Sequence, residues 1–351
     1  MAKVALITDT HFGVHGNSDV FLKSQLKFFK KEFVPYLKKH NITRIFHLGD
    51  FWDNRSTINI RLKNIIMELF DNELKDFKIT MLIGNHDSYF KNNIETHSLK
   101  FLDKYPNVDV IEDIKLLSIA NRKVLLVPWQ CDEDQFKNRI ANNNIFCDVM
   151  LGHLPIMGFK LNNKRVNEHG LDTEILFNNY NLVFSGHFHT RSNMQRAERK
   201  IEYIGNPYQL TFSDEGDERG FCILDLDTLD YEFINNNTSL KFKTVVYPEP
   251  LYKKDIRGNV IKLEVNYDQE FSEEEIEKYI DTCEGFKPAI LPITIDRKSN
   301  IQGTSEDYKA VDLLELIDEY LDEIKMVGKK DVYENIENVY SNLHNEKDIC
   351  L

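Results

Sequence analysis

A chain of 351 residues, 42% hydrophobic and 29% charged, has room for roughly two domains with self-sufficient cores, and this composition excludes disordered and fibrous classes. No apolar run reaches the roughly 18 residues of a membrane span, and the opening MAKVALITDTHFG turns polar at Asp9, too soon for a secretory signal. The expected compartment is the cytoplasm, that of the host if the chain is viral, with no membrane association. The five cysteines form no C-x-x-C, which argues against a disulfide framework and a thiolate zinc site. The net charge of −13 is concentrated at one end, since residues 301–351 hold 13 acidic and 5 basic residues. The remaining body is therefore near neutral, and acidity does not exclude an anionic partner for it.

Short apolar runs alternate with helical patterns from the N-terminus, as in an α/β domain. KVALITD (3–9) reads as a strand, Val20 to Lys39 as a helix with Phe21, Phe28, Phe29 and Leu37 near one face, and RIFHLGD (44–50) as the next strand. A helix from about Asn59 to Leu74 precedes the strand KITMLIGNHD (78–87). IKLLSI and KVLLVPW follow as strands, then a helix near 133–141, then the strands DVMLGH (148–153) and NLVFSGHFH (181–189). KIEYIGNP, RGFCILDLD and LKFKTVVYP close this unit as strands.

Pro248 and Pro250 mark a boundary. The expected domains are 1–248, a small α/β module at 249–300 and a terminal segment at 301–351. In the module, NVIKLEVN and AILPITID flank a helix opened by a Ser272/Glu275 capping box. In the last segment Ala310, Leu313, Leu314, Ile317, Leu321 and Ile324 recur at helical spacing, Gly328 breaks the pattern, and Tyr333, Ile336, Val339 or Tyr340, and Leu343 form a second stripe. This is a helical hairpin with two apolar faces, which either pack on their own chain or dock a partner.

The ends of the strands carry the chemistry. They bear Asp9 and His11, then Asp50, then Asn85, His86 and Asp87, then His153, and last His187 and His189. Side chains beyond the carboxyl ends of neighbouring strands in an α/β sheet converge on one crevice. Taken singly, a histidine after a strand is ordinarily a satisfied residue and a Gly-Asp pair a turn, but five such ends together point to metal. Imidazole and carboxylate donors without thiolates suit manganese, iron or zinc. Their number exceeds what one ion takes and predicts two divalent ions, an arrangement suited to hydrolysing phosphate esters.

DTHFG, GDFWD, GNHD, LGH and GHFH, in this order, resemble the five motifs of the calcineurin-like metallophosphoesterases, over about residues 1–250. The resemblance implies two packed mixed β-sheets flanked by helices, with the metal site at the strand ends. It implies Asp9, His11 and His189 on one ion, Asn85, His153 and His187 on the other, Asp50 bridging them, and His86 facing the phosphate. Within the family the chain is most similar to the SbcD-type DNA recombination and repair nucleases, including phage subunits, through DTHFG, YIGNPYQLTF (203–212) and DERGF (217–221). That branch implies a double-strand exonuclease and single-strand endonuclease, with manganese as the expected ion. It also implies roles in DNA recombination, repair or replication, a DNA-binding cap at 249–300, and a homodimer within a heterotetramer. Helices 20–39 and 59–74 are candidates for the two-fold contact. The hairpin would bind an SbcC-type coiled-coil ATPase through Leu313, Leu314, Ile317, Leu321, Ile324, Ile336 and Tyr340.

Asp53 stands where some members of the branch carry His, and its carboxylate is expected to accept the ring N–H of His86, giving both a catalytic role. Asn206 replaces the Ser of the branch's G-S-P segment. Arg55, Arg61, Lys160, Lys164, Arg165 and Arg191 are candidate phosphate contacts near the ligand strands. A phosphatase or cyclic-nucleotide phosphodiesterase on the same site is the alternative, and a non-catalytic scaffold is disfavoured because every ligand position is filled.

Overall fold

The computed structural model describes residues 2–142, 145–162, 165–267 and 271–297. The hairpin residues Leu313, Leu314, Ile317, Leu321, Ile324, Ile336 and Tyr340, and Lys164, lie outside the described residues.

Two six-stranded mixed sheets form the body, the architecture the sequence leads one to expect. The first runs, edge to edge, Tyr231–Asn235, Gly220–Asp225, Lys3–Ile7, Arg44–His47, Lys78–Leu82 and Val108–Ile111. The second runs Ser192–Arg196, Arg199–Tyr203, Leu182–Gly186, Val149–His153, Arg122–Val127 and Lys115–Ile119. Four strands of each sheet are parallel, and the antiparallel pairings lie toward the edges. The parallel strands read as unbroken apolar runs because both faces are covered. In Lys3–Ile7, Val4 and Leu6 enter the core between the sheets, whereas Ala5 and Ile7 enter the core under the helices.

Those helices explain an oddity of the sequence, two adjacent buried phenylalanines. The helix Asp19–Phe28 passes through a π-turn at Phe29–Phe33 into Val34–Lys39. The widened turn shifts the face by one residue, so Phe28, Phe29 and Phe33 all reach the core. The helix Ile60–Leu69 likewise ends in a π-turn at Phe70–Leu74. It starts at Asn59, whose Oδ1 accepts the Leu62 N–H at 3.1 Å, and buries Leu62, Ile66 and Leu69.

The small module has its own core, formed by Val245, Ile261, Leu263, Val265, Ile276 and Cys283. Its helix Glu273–Gly285 carries the Ser272/Glu275 capping box. One strand assignment is corrected here: Phe242–Val246, read as closing the large unit, pairs in parallel with Val260–Tyr267 and belongs to the small sheet, ahead of Pro248. An apolar run fixes that a segment is a strand but not which sheet it joins.

The carboxyl ends of the two sheets meet with almost no space between them. A Cβ on Gly186 would collide with Thr8 and Asp9, and one on Gly84 with Asp50. Two buried side chains tie the converging loops. The Asp87 carboxylate accepts backbone N–H groups from Phe51 at 3.0 Å, Trp52 at 3.1 Å and Gly84 at 3.0 Å. The Arg219 guanidinium donates to the His189 carbonyl, to Asn206 Oδ1, and to Asp214 and Asp217 at 2.8 Å each. Removing the Asp87 acceptor strands three buried backbone donors, so Asp87→Ala should cost about 3 kcal/mol or more and Asp87→Asn less. Thermal unfolding measures this, and a Tm unchanged in Asp87→Ala would show that the carboxylate does not brace the loops.

Candidate metal centre

Side chains from several strand-end loops surround one crevice, and their donor atoms fall into overlapping sets. Asp9, His11 and His189 form one set, Asp50, His153 and His187 a second, and His11, Asp50 and His86 a third, with the atoms of each within 4.8 Å of one another. In the first, His11 Nε2 stands 3.0 Å from His189 Nε2, and both lie 3.9 Å from Asp9 Oδ1. In the second, His153 Nε2 stands 3.4 Å from Asp50 Oδ1, and Asn85 Oδ1 joins at 3.0 Å from His153 Nε2 and 2.8 Å from His187 Nδ1. Ligand atoms bonded to one ion at 2.0–2.2 Å stand roughly 3 to 3.6 Å apart. The donors therefore fit divalent cations in type, and the 3.0–3.4 Å separations fit in spacing, with Asp9 Oδ1 set slightly farther out at 3.9 Å. Asp50 turns a different oxygen to each side, with Oδ2 3.8 Å from His11 Nε2.

The backbone is forced to make this arrangement. Asp9, His11, Asp50 and His187 have φ of 51°, 42°, 55° and 91°, a region that costs a non-glycine residue about 1–3 kcal/mol and concentrates at functional sites. Supporting groups hold the strained segments. Gln25, buried on the first helix, donates to the Thr10 and His11 carbonyls at 3.1 and 3.2 Å. The His187 N–H donates to Asp9 Oδ2 at 3.1 Å, and the Thr8 hydroxyl donates to the same oxygen at 2.6 Å. Thr10 Oγ1 donates to the Phe51 carbonyl at 3.2 Å and accepts from His47 Nε2 at 3.0 Å.

Electrostatics divides the histidines. Burial, reinforced by the positive field of His153, pushes His187 down to about 3. Burial and His11 hold His189 well below the ordinary imidazole value. Both present neutral lone pairs at physiological pH. His153 goes the other way: burial would lower it, but Asp50, Asp9 and the Leu48 carbonyl outweigh that and raise it to about 9. Burial would also raise Asp50, yet His153, His11 and His86 hold it well below the usual carboxylate range. Burial and the charge of Asp50 together push Asp9 up, against the pull of His153 and His11.

His86 is half-buried, and its Nδ1–H donates to the Asp53 backbone carbonyl at 2.6 Å. This corrects the expected pairing with the Asp53 carboxylate. The carbonyl is what the turn offers, and the carboxylate swings instead toward His11, with Oδ1 3.5 Å from Nδ1. A carbonyl can only accept, so the proton sits on Nδ1 and Nε2 is left toward the crevice.

The candidate phosphate contacts separate. Arg55 is half-buried near Cys131. Arg61 pairs with Asp19 at 2.5 Å, and Arg191 lies over the Phe233 ring, 4.2 Å from its centroid, donating to Asn235 Oδ1 at 3.1 Å. Both guanidiniums make contacts within the chain, but the Arg61 pair is exposed and Arg191 keeps Nε and Nη2 buried without a hydrogen-bond partner. Lys160 and Arg165 sit on the short paired strands Lys160–Asn162 and Arg165–Val166. Gln25, His47 and Trp129 also serve the site, although no motif marks them in the sequence, and Arg219, which lies in DERGF, serves it in a role the motif did not reveal. Trp129 has its ring centroid 5.2 Å from that of His187. For Gln25 a signal was present, a lone amide on an otherwise apolar helix face.

The chain matches the family model described as calcineurin-like phosphoesterase over residues 2–191. It is 30% identical to exonuclease subunit 1 of Enterobacteria phage T4 over 94% of this chain and 95% of that protein. It is 24% identical to the SbcD component of the nuclease SbcCD of Staphylococcus epidermidis, over 72% of this chain and 71% of that one. Among solved structures, a novel archaeal phosphodiesterase aligns with a TM-score of 0.37 at 15% identity, over 66% of this chain and 99% of its own. Strand-end motifs, sheet architecture and the extent of the family and phage matches lead to one conclusion: the chain belongs to the calcineurin-like phosphoesterase family.

Proposed function

We propose that the protein is the nuclease subunit of a DNA-processing complex, hydrolysing phosphodiester bonds at a centre of two divalent cations, manganese the expected ion. The observation that carries this reading is Asp50, buried between the two donor sets with one oxygen toward each. Asp9, His11 and His189 would hold one ion, and Asn85, His153 and His187 the other. The names of the two relatives, an exonuclease subunit and a nuclease subunit, supply the substrate class and the expectation of a partner. That partner is an SbcC-type ATPase docked on residues 301–351, with two copies of each chain assembled in the cytoplasm on DNA.

The ions would supply Lewis acidity toward the phosphate and a water acidic enough to attack at neutral pH. The chain's own part is positional. Asp50 and the imidazoles fix where the diester phosphorus sits. His86, its ring set by the Asp53 carbonyl, offers a proton from Nε2 to the leaving oxygen, so that as the P–O bond breaks that oxygen departs as an alcohol. The attacking water loses its proton to solvent.

Four outcomes test this. His86→Ala should keep manganese binding while cutting linear duplex DNA about 10²- to 10⁴-fold more slowly, with or without the ATPase. Failure of the unaltered protein to degrade any DNA, alongside brisk hydrolysis of a phosphomonoester, would replace the nuclease with a phosphatase. Deleting 305–351 should abolish co-purification with the ATPase and spare metal binding; survival of the complex would displace the docking segment. A metal at His153 must expel a proton held up to about pH 9. Manganese affinity should therefore fall about tenfold per unit as pH drops below 9, with one proton released on binding. Calorimetry in buffers of different ionisation enthalpy reads that proton, and a flat affinity between about pH 6.5 and 8.5 contradicts it.

A further inference from the structure

Among the described residues, Tyr89 and Phe90 are the only sequence neighbours that are both aromatic and exposed, at 47% and 45%. They begin three residues after His86, at the start of a loop whose backbone is held closed. Ser88 and His97 bridge its stem, the Tyr89 N–H donates to the Thr96 carbonyl at 2.9 Å, and Ser98 N–H donates to the Asp87 carbonyl at 2.8 Å. Ser88 Oγ lies 2.9 and 2.8 Å from the Phe90 and Asn93 carbonyls. The two rings stand edge to face with centroids 4.8 Å apart. An ordered loop that keeps two large rings in water forgoes their burial, and such patches mark interaction sites.

We infer that Tyr89 and Phe90 are a stacking platform for unpaired nucleobases next to the scissile phosphate, so that the site favours DNA ends whose terminal bases are splayed apart. This rests on the nuclease reading above. Three residues of chain reach at most about 11 Å, so a diester held at His86 places its flanking nucleotides within range of the rings. Base faces stack on aromatic side chains without regard to sequence. Lys91, exposed and next in the chain, suits the adjoining phosphate, and between Ser88 and His97 Glu95 is the only acid.

The test uses the full chain carrying His86→Ala, loaded with manganese so that DNA is bound with little cleavage, and duplexes whose ends are either blunt or forked, with 2-aminopurine at the terminal base. The forked end should bind more tightly and its fluorescence should be quenched. Adding Tyr89→Ala and Phe90→Ala should remove the quenching and weaken forked-end binding by roughly 5- to 150-fold for each base released, with blunt-end binding, Tm and manganese affinity unchanged. Tyr89→Phe with Phe90→Tyr should restore both signals. Quenching or fork preference that survives the double alanine change overturns the platform and leaves the nuclease reading standing. So does a wild-type dimer that dissociates on the double change with fork binding intact, since the rings would then face a second copy. If the protein binds no DNA of either form, both readings fall.

Discussion

The carboxylate of Asp50 is almost wholly out of water, and its neighbours, rather than solvent, make the ionised form tolerable. His153 stands 3.4 Å from one oxygen and His11 3.8 Å from the other, and the His86 backbone N–H donates at 2.8 Å. The rest of the architecture follows from bringing those partners in. His11 follows the first strand of the chain, His86 the third, and His153 comes from the opposite sheet, so the sheets must pack with their carboxyl ends together. His153 also reaches across to donate to the Leu48 carbonyl at 2.6 Å, which ties the second sheet to the strand that delivers Asp50. Gly84 lacks a side chain where Asp50 needs the room.

Convergence of this kind is unstable unless something offsets it. Four of the site residues sit at positive φ, and the gathered charges repel within each kind. The compensation is local and specific: backbone groups of the strained loops are pinned by Gln25, Asp87, Arg219 and the Thr10–His47 pair, all buried. None of these belongs to the clustered donor sets. They hold the chain that carries the donors, which is why donors from separate loops come within 4.8 Å of one another in each set.

Much of the site was legible because its candidate metal-donor side chains are polar residues set against apolar strands. Asp9, Asp50, Asn85, His153 and His187 each interrupt or end a run that would otherwise be read only as core. The sheets were legible for the same reason. Three of the four edge strands were not: Val108–Ile111, Ser192–Arg196 and Tyr231–Asn235 carry polar residues on an open face and show no long apolar run. The short helix Thr173–Asn179 was missed as well, although Asp172 caps it. Phe242–Val246 was seen as a strand and put in the wrong sheet, since pairing is a long-range choice. Asp53 shows a further limit. Its carboxylate was the visible feature, yet its backbone carbonyl orients His86, and every residue type has one. Arg191 likewise stands in a basic loop whose composition does not show its contacts with Phe233 and Asn235, which come from a distant strand.

Asp50 and Asp87 lie at the same depth and differ in what satisfies them. The partners of Asp87 are backbone N–H groups of Phe51, Trp52 and Gly84, fixed in number and direction by the fold, so its oxygens have no reason to accept anything else. Asp50 accepts from the His86 backbone, and its other contacts are imidazoles that can turn or give up a proton. A cation arriving between Asp50 and those rings replaces a proton or a weak contact and leaves the backbone bond in place. Two buried acids on neighbouring strand ends thus divide the work by the chemistry of their partners: one is committed to holding the loops together, and the other keeps its remaining lone pairs free for a ligand.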